Sequence, residues 1–190
     1  MSKKSTTFKF RYYHLLVLIC LGVWVLQLVL PNLTEELALN PATFGERPWT
    51  LFTSMWAHAL NPLHIFFNML SLWYVGKAIE TRYPGWWFLS TFLVGGLVGN
   101  LAWLLVGPAE TVVGASGAIF ALLGLALPLT RFHWSVLILA SLNLGLGFVV
   151  PNVAWQVHMG GFIVGILFGM YFASVIRKSN ARFEAAGATS

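Results

Sequence analysis

Six apolar runs, each near the length a helix needs to cross a bilayer, take up most of this chain: roughly 13–30, 62–79, 86–106, 116–130, 133–150 and 152–175. An α-helix rises 1.5 Å per residue, so about 20 apolar residues cross a hydrocarbon core about 30 Å thick. The fourth run, at ~15 residues, is too short to do so alone. Only 9% of the 190 residues are charged and 58% are hydrophobic. A soluble domain carries about 25% charged residues, and this chain has too few to cover a water-facing surface. The nine Trp and fifteen Phe suit helices that meet lipid headgroups. The fold class expected is therefore all-α, a polytopic membrane protein built as a bundle of six transmembrane helices.

Lys3, Lys4, Lys9 and Arg11 precede the first run, as in a secretory leader, but that run ends in Leu30-Pro31-Asn32-Leu33. No small-x-small cleavage pattern follows, so the run is kept as a helix. With six spans, the two tails and the second and fourth loops share one side of the membrane. That side carries Lys3, Lys4, Lys9, Arg11, Lys77, Arg82, Arg131, Arg177, Lys178 and Arg182, whereas the other carries Arg47 alone, with Glu35, Glu36, Glu46 and Glu110. This asymmetry predicts that both termini are cytoplasmic. The net charge of +5 is scattered and forms no basic stripe with interleaved aromatics, which excludes nucleic acid as a partner. The one cysteine, Cys20, cannot form an internal disulfide.

The division expected is a cytoplasmic tail at 1–10, a helical domain at 11–176 and a flexible polar cytoplasmic tail at 177–190. The first external loop, about 31–61, holds Phe44, Pro48, Trp49, Leu51, Phe52, Met55 and Trp56 among few charges. Such a segment lies in the membrane interface, packs on its own helices, or both.

Polar and ionisable groups inside spans are costly, so each is a functional candidate. His64, Asn68, Ser116 and His158 stand out. His64 and Asn68 are one turn apart on one helix face, as functional groups or as polar glue between helices. Ser116 lies in Gly114-Ala115-Ser116-Gly117-Ala118, where a serine among small residues also serves close packing. His158 precedes Gly161 and Gly165, a small-xxx-small pair that lets another backbone approach, and a histidine there can also be a satisfied packing residue. Depth favours function. With Arg131 at the cytoplasmic edge, Ser116 begins ~8 Å below the outer surface, while Asn68 and His158, each six residues into its helix, reach ~9 Å. Four polar side chains from three helices thus share one depth.

Serine is a poor nucleophile until a base takes its proton, and neutral histidine is a common base. Attack on an amide carbonyl creates an oxyanion that needs donors. Asn68, His64 and the free N–H groups at the start of the fourth helix, including that of Ser116, can supply them. No Asp or Glu lies in a span near this depth, so a Ser116–His158 dyad is what remains.

Gly114-x-Ser116-Gly117, His64-x-x-x-Asn68 and His158-x-x-Gly161-x-x-x-Gly165 resemble, in order and spacing, the motifs of rhomboid intramembrane serine proteases, over about residues 11–176. The Trp49-containing loop resembles that family's membrane-embedded external loop. The resemblance implies a six-helix rhomboid-like bundle and a serine-type endopeptidase that cleaves transmembrane protein substrates near the outer membrane face. It implies no cofactor and no metal. Ser116 would be the nucleophile and His158 the base and then the acid, with His64, Asn68 and the Ser116 N–H holding the oxyanion. Phe120 resembles an aromatic position that packs on the catalytic histidine ring. Partners are then the lipid bilayer and transmembrane substrates, and the short tails fit a multi-pass protein of a bacterial cytoplasmic membrane. Two departures touch the loop: Trp49-Thr50 stands where the family has Trp-Arg, and His58 to His64 is one residue longer. His58 is left without a chemical role, as a packing residue of the interface. The fifth run, with Asn143, Gly145 and Gly147, is the candidate for a moving gate. Two other classes compete: an inactive rhomboid-like binder of membrane clients, which would be expected to lack the serine or the histidine, and a channel, whose polar groups would follow a path.

Overall fold

The computed structural model describes residues 10–129, 138 and 154–187. Its helices are α1 (Tyr12–Val29), α2 (Leu33–Leu37), α3 (Thr50–Thr53), α4 (Pro62–Glu80), α5 (Gly85–Val106), α6 (Ser116–Leu129) and α7 (Trp155–Gly187). Among the described residues there is no strand, only an isolated bridge between Leu39 and Val112. Five of the six apolar runs correspond to α1, α4, α5, α6 and α7. The fifth run, with its gate candidates Asn143, Gly145 and Gly147, lies outside the described residues except for Ile138.

Helices α1, α5 and α7 are long and apolar enough to cross a membrane, and α6 is apolar but has only 14 residues. The boundaries have local causes. Asn61 caps α4 by accepting the Leu63 N–H at 2.9 Å, and Pro62 holds the first helical position, where a missing N–H costs nothing. Pro84 precedes α5 and Gly107 follows it. At the start of α1, the Glu80 carboxylate accepts the N–H groups of Tyr12 (3.0 Å) and Tyr13 (2.7 Å), while the Arg11 guanidinium donates to the Glu80 carbonyl. The end of α4 thus satisfies donors that a helix start leaves open, and ties the first two long helices together.

Helix α7 runs past the expected end of its span near 175. Residues 177–187, expected as a flexible polar tail, form its last turns. The stretch from Met170 to Ala186 contains neither Gly nor Pro and is rich in Ala, Arg and Lys, so nothing stops the helix where the apolar run stops.

Helix α6 is the central element, with every residue from Gly117 to Leu127 buried. Its neighbour α7 comes within backbone contact. A Cβ on Gly161 would collide with the carbonyl oxygen of Gly117, and one on Gly165 with that of Ala121. These two glycines set the register between the helix that carries Ser116 and the helix that carries His158. Apolar side chains of α4 and α5, among them Leu72, Phe88 and Phe92, complete the core together with Met55 from the loop.

The loop 31–61 is folded. Thr53 donates its hydroxyl to the Leu37 carbonyl, Trp49 donates its indole N–H to that of Glu36, and Arg47 pairs with Glu36 at 3.3 Å. Met55, Ala57 and His58 are buried while Trp49 and Phe52 face outward. Packing on its own helices and an apolar outer rim are therefore both present.

Candidate active site

Gly114 bends the chain into α6 with φ +129°, a conformation that favours glycine. Its N–H donates to the Ser54 carbonyl at 2.9 Å, so the folded loop holds the approach to Ser116. Ser116 begins α6 and remains partly exposed, whereas His158, on the first turns of α7, is buried. The Ser116 Oγ lies 2.9 Å from His158 Nε2. The His158 ring stacks on Phe120, with centroids 4.3 Å apart and planes 14° apart, which fixes its tilt. Ser116 and Phe120 are four residues apart, one turn of the same helix.

His64 and Asn68 stand on the α4 face that meets the start of α6. The Ala59 N–H donates to His64 Nδ1 at 3.1 Å. An accepting Nδ1 in a neutral ring leaves the proton on Nε2, and that atom points toward Gly114. A Cβ built on Gly114 would sit 3.2 Å from His64 Nε2 and 3.8 Å from Ser116 Oγ. The missing side chain of Gly114 therefore opens the space between nucleophile and donor. Asn68 donates one Nδ2 hydrogen to the His64 carbonyl at 2.9 Å, which orients its amide and leaves the second hydrogen free. All four residues singled out by the sequence are thus brought together around one small space. A serine hydroxyl bonded to an imidazole, with N–H donors across that space, is the arrangement nucleophilic attack on a carbonyl requires.

His58 does more than fill the interface. It is wholly buried, its N–H donates to Gln27 Oε1 (3.0 Å), and its carbonyl accepts from Gln27 Nε2 (2.9 Å). Its Nδ1 donates to the Trp56 carbonyl, and its Nε2 faces the N–H of Ala115, the residue before Ser116, at 3.5 Å. Burial, with His64 beside it, pushes its pKa from 6.5 down to about 4, against the opposing pull of the Trp56 carbonyl. The unfolded chain takes up this proton at a higher pH than the folded one. Stability from a neutral His58 is therefore complete above about pH 6.5 and falls as the pH drops toward 4. The thermal midpoint in detergent should decline across that window, and His58→Gln should decline less over the same window. An equal decline in the variant would remove His58 as the cause.

Gln27, Glu80 and Asn100 are buried polar residues in helices that sequence reasoning passed over. Asn100 donates to the Leu51 carbonyl and the Ser54 hydroxyl. Gln27 and Asn100 were visible as polar groups in apolar runs, the signal that found the other four, whereas Glu80 lies just past the end of the second run.

A family profile described as Rhomboid domain matches residues 45–175. This chain belongs to the rhomboid family. It is similar to the rhomboid protease GluP of Bacillus subtilis (strain 168), 36% identical over 126 residues, covering 62% of this chain and 24% of that protein. RHOMBOID-like protein 1 of Arabidopsis thaliana is 33% identical over 135 residues, covering 65% of this chain and 34% of its own length. Rhomboid-like protease 3 of Toxoplasma gondii is 30% identical over 148 residues, covering 71% and 56%. The chain therefore spans from about a quarter to a little over half of these relatives. With its apolar helices, this rhomboid is an integral membrane protein.

Proposed function

We propose that this rhomboid is an intramembrane serine endopeptidase that cleaves transmembrane protein substrates near the outer membrane face through a Ser116–His158 dyad. The observation that carries the reading is the 2.9 Å approach of Ser116 Oγ to His158 Nε2. Ser116 Oγ attacks the scissile carbonyl carbon as His158 Nε2 takes its proton. The carbonyl oxygen becomes an oxyanion facing the His64 Nε2–H, the free Asn68 Nδ2 hydrogen and the Ser116 N–H. That last group has no carbonyl one turn back to bond to, because it begins the helix, and the helix dipole adds to its pull on negative charge. His158 then returns the proton to the leaving amine as the C–N bond breaks. A water, deprotonated by the same Nε2, attacks the acyl ester, and His158 passes that proton to Ser116 Oγ as the acyl C–O bond breaks. This chemistry draws on no cofactor or metal.

The basic residues at the proposed inner side and the positions of α1, α4, α5, α6 and α7 support a six-span domain at 11–176. Both termini are then cytoplasmic. Fluorophosphonate labelling of the detergent-purified chain tests the reading. The expected adduct maps to Ser116 by mass spectrometry. A folded chain that takes up no probe would instead fit a rhomboid that binds membrane clients without cutting them.

A further inference from the structure

Beside the Ser116–His158 pair, the facing sides of α4 and α6 border a half-open cleft of about 70 Å³, lined by Phe67, Asn68 and Ser71 on α4 and by Ser116, Ile119, Phe120 and Leu123 on α6. A water molecule takes about 30 Å³ in the liquid, so the cleft holds about two non-hydrogen groups. A side chain of one or two heavy atoms fills it, and a leucine would extend past its open side. The cleft adjoins Asn68, an oxyanion donor, and not His158, which must face the leaving amine. It therefore receives the side chain of the residue that contributes the scissile carbonyl.

Its walls are mostly apolar, with one exception away from the reacting groups. Ser71 is one turn further along α4 than Asn68, on the same face. It is half-buried, and no hydrogen bond holds its hydroxyl among the described residues. Asn68 Oδ1, on the same stripe, is buried without a partner. A hydroxyl can both donate and accept, and a polar group taken from water into an apolar cleft is costly unless it is bonded. A substrate hydroxyl entering this cleft finds a partner in Ser71; a methyl does not use it. We propose that Ser71 is a specificity-determining residue that selects serine as the residue bearing the scissile carbonyl. The inference rests on the dyad reading above.

The test is the rate of Ser116 labelling by peptidyl phosphonate diphenyl esters that differ only in the side chain next to phosphorus: hydroxymethyl, methyl or isobutyl. The wild type in detergent should react about three- to tenfold faster with hydroxymethyl than with methyl, the range one hydrogen bond supplies, and slowest with isobutyl. In Ser71→Ala the hydroxymethyl-to-methyl ratio should fall to about one. A ratio of one in the wild type, or one that survives Ser71→Ala, overturns the role of Ser71 and leaves the dyad standing. A folded wild type that no phosphonate labels overturns the dyad reading and this inference with it.

Discussion

Ser116→Ala and His158→Ala are each expected to lower cleavage of a transmembrane substrate by at least about 10³-fold, and the double variant should be no worse than either single one. Groups that act as one unit fail together: without the base the hydroxyl keeps its proton, and without the hydroxyl the base has nothing to activate. The two variants differ in what else they disturb. Ser116 is partly exposed, and its hydroxyl makes its described contact to His158 alone, so its loss should leave the thermal midpoint nearly unchanged. His158 is buried against Phe120, and truncation to alanine leaves a cavity that destabilises α7. His158→Gln, which fills more of that space, separates the two effects, because it should recover stability and not activity. Cleavage by Ser116→Ala at more than a tenth of the wild-type rate would end the dyad assignment, whatever the stability of the variant.

The fold was legible where solvent chemistry decides it. A run of apolar residues at 86–106 can hardly be anything but a helix in lipid, and α5 spans Gly85–Val106. The stop of α7 was not legible, because the end of an apolar run marks where lipid ends, while a helix ends where its backbone bonds end. Residues 177–187 carry good helix formers and so continue. The four candidate residues stood out in the sequence for the same reason as the spans: a polar side chain in an apolar run has to be explained. His58 escaped because it sits in a loop, where a polar residue raises no question. Its grip on Gln27, 31 residues earlier, and on Ala115, 57 residues later, exists only once the chain is folded. Gly114 shows the same limit from another side. The sequence marks it as small, but its role as the opening between His64 and Ser116 follows from φ +129° and from the His64 ring and Ser116 hydroxyl around it.

Removing either side-chain donor is expected to cost about 10²- to 10³-fold in kcat with little change in KM, the range found for single oxyanion donors. A donor aimed at the oxyanion acts on charge that develops only in the transition state, so the rate suffers and substrate binding does not. The variants His64→Phe and Asn68→Leu keep bulk and remove the N–H. For His64 the prediction follows from its tautomer: Ala59 donates to Nδ1, so the proton on Nε2 faces the opening beside Gly114. A ring without that proton leaves the oxyanion one donor short. Asn68 carries a second role, since its Nδ2 also holds the His64 carbonyl. Its loss frees a carbonyl in the first turns of α4 and loosens the backbone that positions the other donor. The two losses should therefore not add: Asn68→Leu should cost more than His64→Phe, and the double variant less than their product. Additive losses would mean that Asn68 acts on the oxyanion alone. A KM effect equal to the kcat effect would mean that neither residue is an oxyanion donor and that both merely shape the cleft in which the substrate lies.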